Sequence, residues 1–247
     1  MTYCVGLLLD AGMVFASDSR TNAGVDQVSS FRKMKVFERT GDRVVVVLSS
    51  GNLSVTQNAL NLLETREKKP ELGPTLWEAK SFAEVAAICG DCLRHVRQRD
   101  AAFLQESNVD SSASFIVGGQ IAGERMRLYM IYSEGNFIEA TEVTPYFQIG
   151  ETKYGKPVID RIITPQTKLI DVTKCVLVSF DSTMRSNISV GLPIDLVVYE
   201  KDALCVGLQR TITESDPYFQ MIHNQWADGL RRVFAELPDP SWEKESA

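Results

Sequence analysis

The chain has 247 residues, 44% of them hydrophobic and 23% charged, with 26 basic against 32 acidic side chains for a net charge of −6. That is the make-up of a globular protein with a sizeable core, and its acidic balance argues against a broad surface for nucleic acid or anionic lipid. No stretch approaches the roughly 18 uninterrupted apolar residues of a membrane span, and Asp10 and Asp18 interrupt the amino end too early for a secretory signal. A cytoplasmic location is expected, with neither membrane nor nucleic acid as partner.

The first elements are short apolar runs. "TYCVGLLLD" and "MVFASDS" flank the turn "DAG" and read as a hairpin. "KMKVFE" and "DRVVVVLSS" form a second pair around "RTGD", and the second of these is nearly all valine, so it should be buried on both faces. Two helical segments follow. "LSVTQNALNLLETREKK" has apolar residues at helical spacing, and "SFAEVAAICGDCLRHVRQRD" opens on serine with glutamate three residues later, the capping-box signature.

That second helix contains the pair Cys89 and Cys92, with His95 nearby. Thiol and zinc chemistry both use this spacing. But no second such pair exists, the chain holds only one other histidine, His223, and five cysteines spread thinly are no disulfide framework. They read as buried helix residues, and no metal or cofactor is expected.

Next come three strands, "SASFIVGGQI", "MRLYMIYS" and "NFIEAT", then helices in "YGKPVIDRII", starting near Pro157, and "DVTKCVLVSFDSTMRSN". A last strand pair, "IDLVVYEK" and "CVGLQRTIT", precedes the amphipathic helix "YFQMIHNQWADGLRRVFAEL", whose Trp226 reads as core before interface. Strands and helices thus come in groups, twice over. That predicts layers, not alternating βαβ units: an α+β fold with two antiparallel sheets stacked between two helix layers, an αββα sandwich. One domain over 1–236 and a loose tail over 237–247 account for the chain.

The second residue is the chemically suggestive one. Removal of Met1 makes Thr2 the first residue, carrying a hydroxyl and an α-amine on one skeleton. The amine has a reference pKa of about 7.7–8.0; once neutral it accepts the hydroxyl proton and frees the oxygen to attack a carbonyl. Such a site needs a cation to tune the amine, a carboxylate to hold the cation and backbone donors for the oxyanion. Asp18, at the end of the hairpin's second strand, Arg20 two positions on, Lys33 or Lys35 at the start of the third strand, and the amides of Ser50 and Gly51 are the candidates.

Taken in order, "TYCVGLLLDAGMVFASDSRTNAG", "FRKMKVFE", "VVVVLSSGN", "SASFIVGGQ" and "YFQIGETKYGKPVID" resemble the β-subunits of the proteasome and the bacterial HslV peptidase. The likeness covers nearly the whole chain and, within that superfamily, looks most like the bacterial Anbu family. The resemblance implies an N-terminal nucleophile hydrolase with Thr2 as nucleophile, its amine as base, Lys33 lowering the amine's proton affinity and Asp18 orienting the lysine. Ser50 or Gly51 then supplies the oxyanion amide, with Arg20 supporting. Lys33 stands one residue early for the family, which leaves Lys35 as a substitute. The family's supporting Asp-x-x-Ser segment falls on Ser186 and Ser189, with serine in place of aspartate, and Glu151 stands where the family has a serine. Leu48 aligns near the family's specificity pocket.

These residues lead to a threonine-type amide hydrolase, a peptidase on peptide or protein substrates, working as a self-compartmentalising homo-oligomer. Two alternatives stand beside it: a small-amide or isopeptide hydrolase using the same site, and a non-catalytic assembly subunit. The chain has no nucleotide-binding motif, so an ATP-driven unfoldase would be a separate chain.

Overall fold

The computed structural model describes residues 2–22 and 28–241. Strands β1 (Tyr3–Leu9) and β2 (Gly12–Asp18) form the expected hairpin. Two short strands, β3 (Arg20–Asn22) and β4 (Val28–Ser30), pair as a separate ribbon, followed by β5 (Met34–Arg39) and β6 (Arg43–Gly51). Helices α1 (Leu53–Lys68) and α2 (Phe82–Glu106) come next, then β7 (Ala113–Ile121), β8 (Arg127–Ile131), β9 (Phe137–Glu139) and β10 (Tyr146–Gly150). Helices α3 (Lys156–Ile162) and α4 (Leu169–Ser186), strands β11 (Ile194–Glu200) and β12 (Leu208–Ile212), and α5 (Pro217–Glu236) are the last elements among the described residues, and the tail expected over 237–247 lies outside them from 242 on.

The large sheets are antiparallel, in the orders β10-β1-β2-β11-β12 and β5-β6-β7-β8-β9. Three apolar layers hold them. Val5, Leu7, Val14 and Ala16 pack on α4 and α5; Val45, Val47, Phe115 and Val117 pack on α1 and α2; Met13, Phe15, Val44, Val46, Leu48 and Ile116 fill the space between the sheets. Period-2 alternation sends successive side chains of each strand to opposite layers. Val44 to Val47 therefore divide between two cores, and all four are fully buried. At about 1.5–3 kcal/mol per buried side chain, this run is among the larger contributions to folding. The αββα sandwich expected from the sequence is the observed fold.

The helix starts are set locally. Ser81 Oγ accepts from the Glu84 amide at 3.2 Å, and the Glu84 carboxylate reaches back to the Lys80 amide at 2.7 Å. Asn52 caps α1 by accepting from the Ser54 amide at 3.0 Å and the Val55 amide at 3.3 Å, which fixes the corner directly after Gly51. Cys89 and Cys92 lie in the core under α2, where burial pushes the Cys92 thiol up to about 12.

Strand β10 is absent from the sequence-based expectations, as is the β3–β4 ribbon. "YFQIG" is short and interrupted by Gln148, and only pairing with β1 makes it a strand. The consequence is large: β1 becomes an interior strand, and the start of the chain is threaded between β10 and β2.

Candidate active site

Alternation along β1 aims the first residues. Tyr3, Val5 and Leu7 face the helix layer, whereas Cys4 faces the other sheet with Met13 and Leu48. Thr2 shares the parity of Cys4, so its side chain is directed toward the mouth between the sheets. Tyr3 locks that direction. Its hydroxyl is 2.6 Å from Ser179 Oγ and accepts from Gln148 Nε2 at 2.6 Å, and its ring centroid lies 4.5 Å from that of Phe180. Beyond β10, the Glu151 amide donates to the Thr2 carbonyl at 2.6 Å. Gly150 permits this approach: its φ is +86°, and a Cβ there would lie 2.0 Å from the Thr2 oxygen and 3.2 Å from Ser50 Oγ.

Asp18 is fully buried at the end of β2. Its Oδ1 accepts from the Tyr3 amide at 2.9 Å and from Lys33 Nζ at 2.8 Å. Lys33 Nζ also donates to the Arg20 carbonyl at 2.6 Å. Ser49 fixes the lysine's backbone, since both its amide, at 2.8 Å, and its hydroxyl, at 3.2 Å, donate to the Lys33 carbonyl. Burial raises the Asp18 carboxyl above the usual range, and the charge and hydrogen bond of Lys33 and the amides of Tyr3 and Gly191 oppose it. Cys4 borders the same pair. Burial and the Asp18 charge raise its thiol, Lys33 counters, and Cys4 Sγ donates to the Ser49 carbonyl at 3.6 Å. A shift in this direction favours the thiol over the thiolate.

The two lysines left open by spacing part company. Lys33 is turned inward onto Asp18, whereas Lys35 is exposed and pairs with Glu64 on α1. The two candidate amides separate as well. The Asn52 amide donates to the Ser112 carbonyl at 2.8 Å, and the Ser49 amide donates the opposite way, to Lys33. Successive amides of a strand point to opposite edges. The Ser50 amide therefore faces β7, and the Gly51 amide points to the Lys33 side, beyond the first residue of β5. Of the two, the Gly51 amide is the one turned away from β7.

Ser186, the last residue of α4, is exposed, and it is the next residue that turns inward. Asn187 is buried and donates from Nδ2 to Glu151 Oε2 at 2.9 Å, while its Oδ1 accepts from the Ser189 amide at 2.9 Å. Glu151 is buried too, and its Oε1 accepts from the Lys153 amide at 3.1 Å. Ser189 thus shapes the loop through its backbone. Arg20 makes no ion pair with Asp18. It donates to the Ile188 carbonyl at 2.9 Å and lines, with Met184, Arg185, Ser186 and Glu214, a cleft of about 600 Å³. Leu48 is fully buried between the sheets. Sequence reasoning missed Asn187 and Ser49. Asn187 carried a signal of its own, as an amide residue closing an amphipathic helix before a Gly-Pro-containing loop.

Among the described residues, no cluster of His, Cys, Asp and Glu side chains is arranged to hold a metal, and no helix is long and apolar enough to cross a membrane.

No family model and no curated protein sequence matches the chain. Solved structures do. Anbu (ancestral β-subunit) from Yersinia bercovieri is 48% identical with a TM-score of 0.92, over 98% of this chain and all of that one. Anbu from Hyphomicrobium sp. strain MC1 is 43% identical with a TM-score of 0.90, over 97% of this chain and all of that one. The Anbu complex from Pseudomonas aeruginosa, solved as a helical assembly, is 47% identical with a TM-score of 0.91, over 96% of this chain and 98% of that one. Identity at this level, sustained from end to end on the same sandwich, means that the chain belongs to the Anbu family of proteasome-like β-subunits.

Proposed function

We propose that this chain is an N-terminal threonine amide hydrolase acting on peptides or proteins, with Thr2 as nucleophile once Met1, which lies outside the described residues, has been removed. The observation that carries the reading is the buried Lys33–Asp18 pair at the start of β1, joined to the main chain of the proposed nucleophile's neighbour through the Tyr3 amide. A lysine cation there disfavours the protonated amine of Thr2 and keeps it available as a base.

The Thr2 hydroxyl proton passes to the α-amine, directly or through one water, as the oxygen attacks the substrate carbonyl. The oxyanion meets the Gly51 amide. Collapse breaks the C–N bond, the leaving amine takes the proton from the Thr2 ammonium, and an ester to Thr2 remains. Water, deprotonated by the same amine, then hydrolyses the ester and restores the hydroxyl.

The protein works as a homo-oligomer. The helical assembly of the Pseudomonas relative supports this, as do Leu230, Val233, Phe234 and Leu237, exposed apolar residues on and just after the last part of α5.

Intact mass before and after incubation with an epoxyketone electrophile is the test. Loss of one methionine and a single adduct, absent in Thr2→Ala at unchanged assembly, is expected. Retained methionine, or an adduct that survives Thr2→Ala, overturns the reading.

A further inference from the structure

Glu151 is a buried acidic residue next to the start of β1 that the mechanism above leaves unused. Its amide donates to the Thr2 carbonyl at 2.6 Å. On a strand, the N–H and C=O of one residue point to the same edge, so the nitrogen of Thr2 is also turned toward Glu151, while the next amide, that of Tyr3, is turned to Asp18. The Glu151 carboxylate is buried and accepts from two neutral donors, Asn187 Nδ2 at 2.9 Å and the Lys153 amide at 3.1 Å. Among the described residues it forms no ion pair. A buried carboxylate without a cation is costly unless one is supplied, and the α-ammonium freed by removal of Met1 arises on the edge of β1 that faces the Glu151 main chain.

We infer that Glu151, held by Asn187, is a positioning residue for the freed amine of Thr2, binding its ammonium form and setting the pH above which that amine can act as a base. The inference rests on the hydrolase reading for its functional meaning, but its physical content is a statement about one amine. Two opposite influences meet there. Lys33, on the β5 side, disfavours the proton, and Glu151, beyond β10, favours it. Other charged or titratable groups near the chain start include Asp18 on β2, paired to Lys33; Tyr3 on β1, its hydroxyl held by Ser179 and Gln148; Cys4 on β1, its thiol raised by burial; Arg20 on β3, donating to the Ile188 carbonyl; and Lys153, whose amide meets the Glu151 carboxylate. Opposition of this kind gives an amine that is oriented by a charge-assisted hydrogen bond at low pH and released as a base at higher pH.

The test titrates the amine itself. The processed protein is acetylated briefly with a limiting amine-specific ester across a pH series, and the acetylated fraction of the Thr2 peptide is read by mass spectrometry. Glu151→Gln should move the midpoint down by about one pH unit, a gain of about tenfold in neutral amine near pH 7. Glu151→Asp should stay near the parent. Asn187→Ala, which removes a competing neutral donor, should move the midpoint the other way; a merely structural role would leave both midpoints in place. If Glu151→Gln does not fold, Asn187→Ala decides alone: an upward shift supports the inference, and no shift or a downward one overturns it. An unmoved midpoint in Glu151→Gln likewise overturns it. The epoxyketone adduct, measured in parallel, separates the two readings. Shifted midpoints without adduct sink the hydrolase and leave Glu151 as assigned, whereas adduct formation with fixed midpoints does the reverse.

Discussion

Strand β6 has a buried cation beside each end, and the two are held in different ways. At the start, Arg43 donates to the carbonyls of Leu76 and Ala79 at 2.8 and 2.9 Å and to Asp42 at 2.8 Å, tying the segment before α2 over the core. At the far end, Lys33 sits against Ser49 and spends its charge on Asp18 and the Arg20 carbonyl. Both side chains are nearly inaccessible. Burial of a charge therefore does not mark a site. Arg43 has its donors taken up by a loop it staples, whereas the carboxylate beneath Lys33 also holds the main chain at Tyr3, so the charge is delivered where the chain begins.

Removing each cation should break the comparison most sharply. Lys33→Met strands Asp18 in the interior, at a cost of about 3–5 kcal/mol, and should abolish the electrophile adduct. Arg43→Met leaves buried carbonyls without donors, about 1–3 kcal/mol, and should keep the adduct rate of the folded fraction. Urea unfolding together with adduct mass reads both, and loss of adduct in the Arg43 variant would erase the distinction.

Gly150→Ala acts on the backbone at the same end. A Cβ at φ +86° and 2.0 Å from the Thr2 carbonyl costs about 1–2 kcal/mol for the left-handed conformation alone. It should also shift Thr2 enough to slow adduct formation by about 100-fold. A normal rate in this variant would show that the Thr2–Glu151 contact does not set the nucleophile's position.

A smaller effect concerns pH. The raised Asp18 carboxyl binds its proton more tightly folded than unfolded, so its contribution to stability is full below the unfolded value of about 3.9 and fades as pH rises through the folded one. The stability of the parent relative to Asp18→Asn should therefore fall as pH rises above about 4, measured by urea unfolding at several pH values. A rising difference would mean that Lys33 outweighs burial. The smallest effect belongs to Lys35. Its exposed pair with Glu64 is worth about 0–1 kcal/mol, so Lys35→Ala should leave adduct formation intact and barely move the melting temperature. A silent site in that variant would return the catalytic assignment to Lys35.

The layered sandwich was legible because grouped strands and helices, a valine run and a capping box are local patterns, each with a short-range physical cause. Thr2, Asp18, the lysine pair Lys33 and Lys35, and the amides of Ser50 and Gly51 were nameable as candidates from the sequence and its family resemblance, with the choice within each pair left open. Position was another matter. Lys33 and Lys35 lie two residues apart on one face of a pleated strand by simple alternation, and it is the chain leaving β5 before Met34 that turns Lys33 inward onto Asp18. Asn187, not Ser186, reaches Glu151 because of where α4 ends.

By itself, then, the sequence determined the elements, the layer count and the inventory of reactive groups, all consequences of side-chain chemistry and local periodicity. The tertiary structure alone decided that β10 closes on β1, that the Gly51 amide faces away from β7, and that Glu151 meets the start of the chain. Each depends on pairing between segments far apart in sequence, through hydrogen bonds that no local pattern encodes.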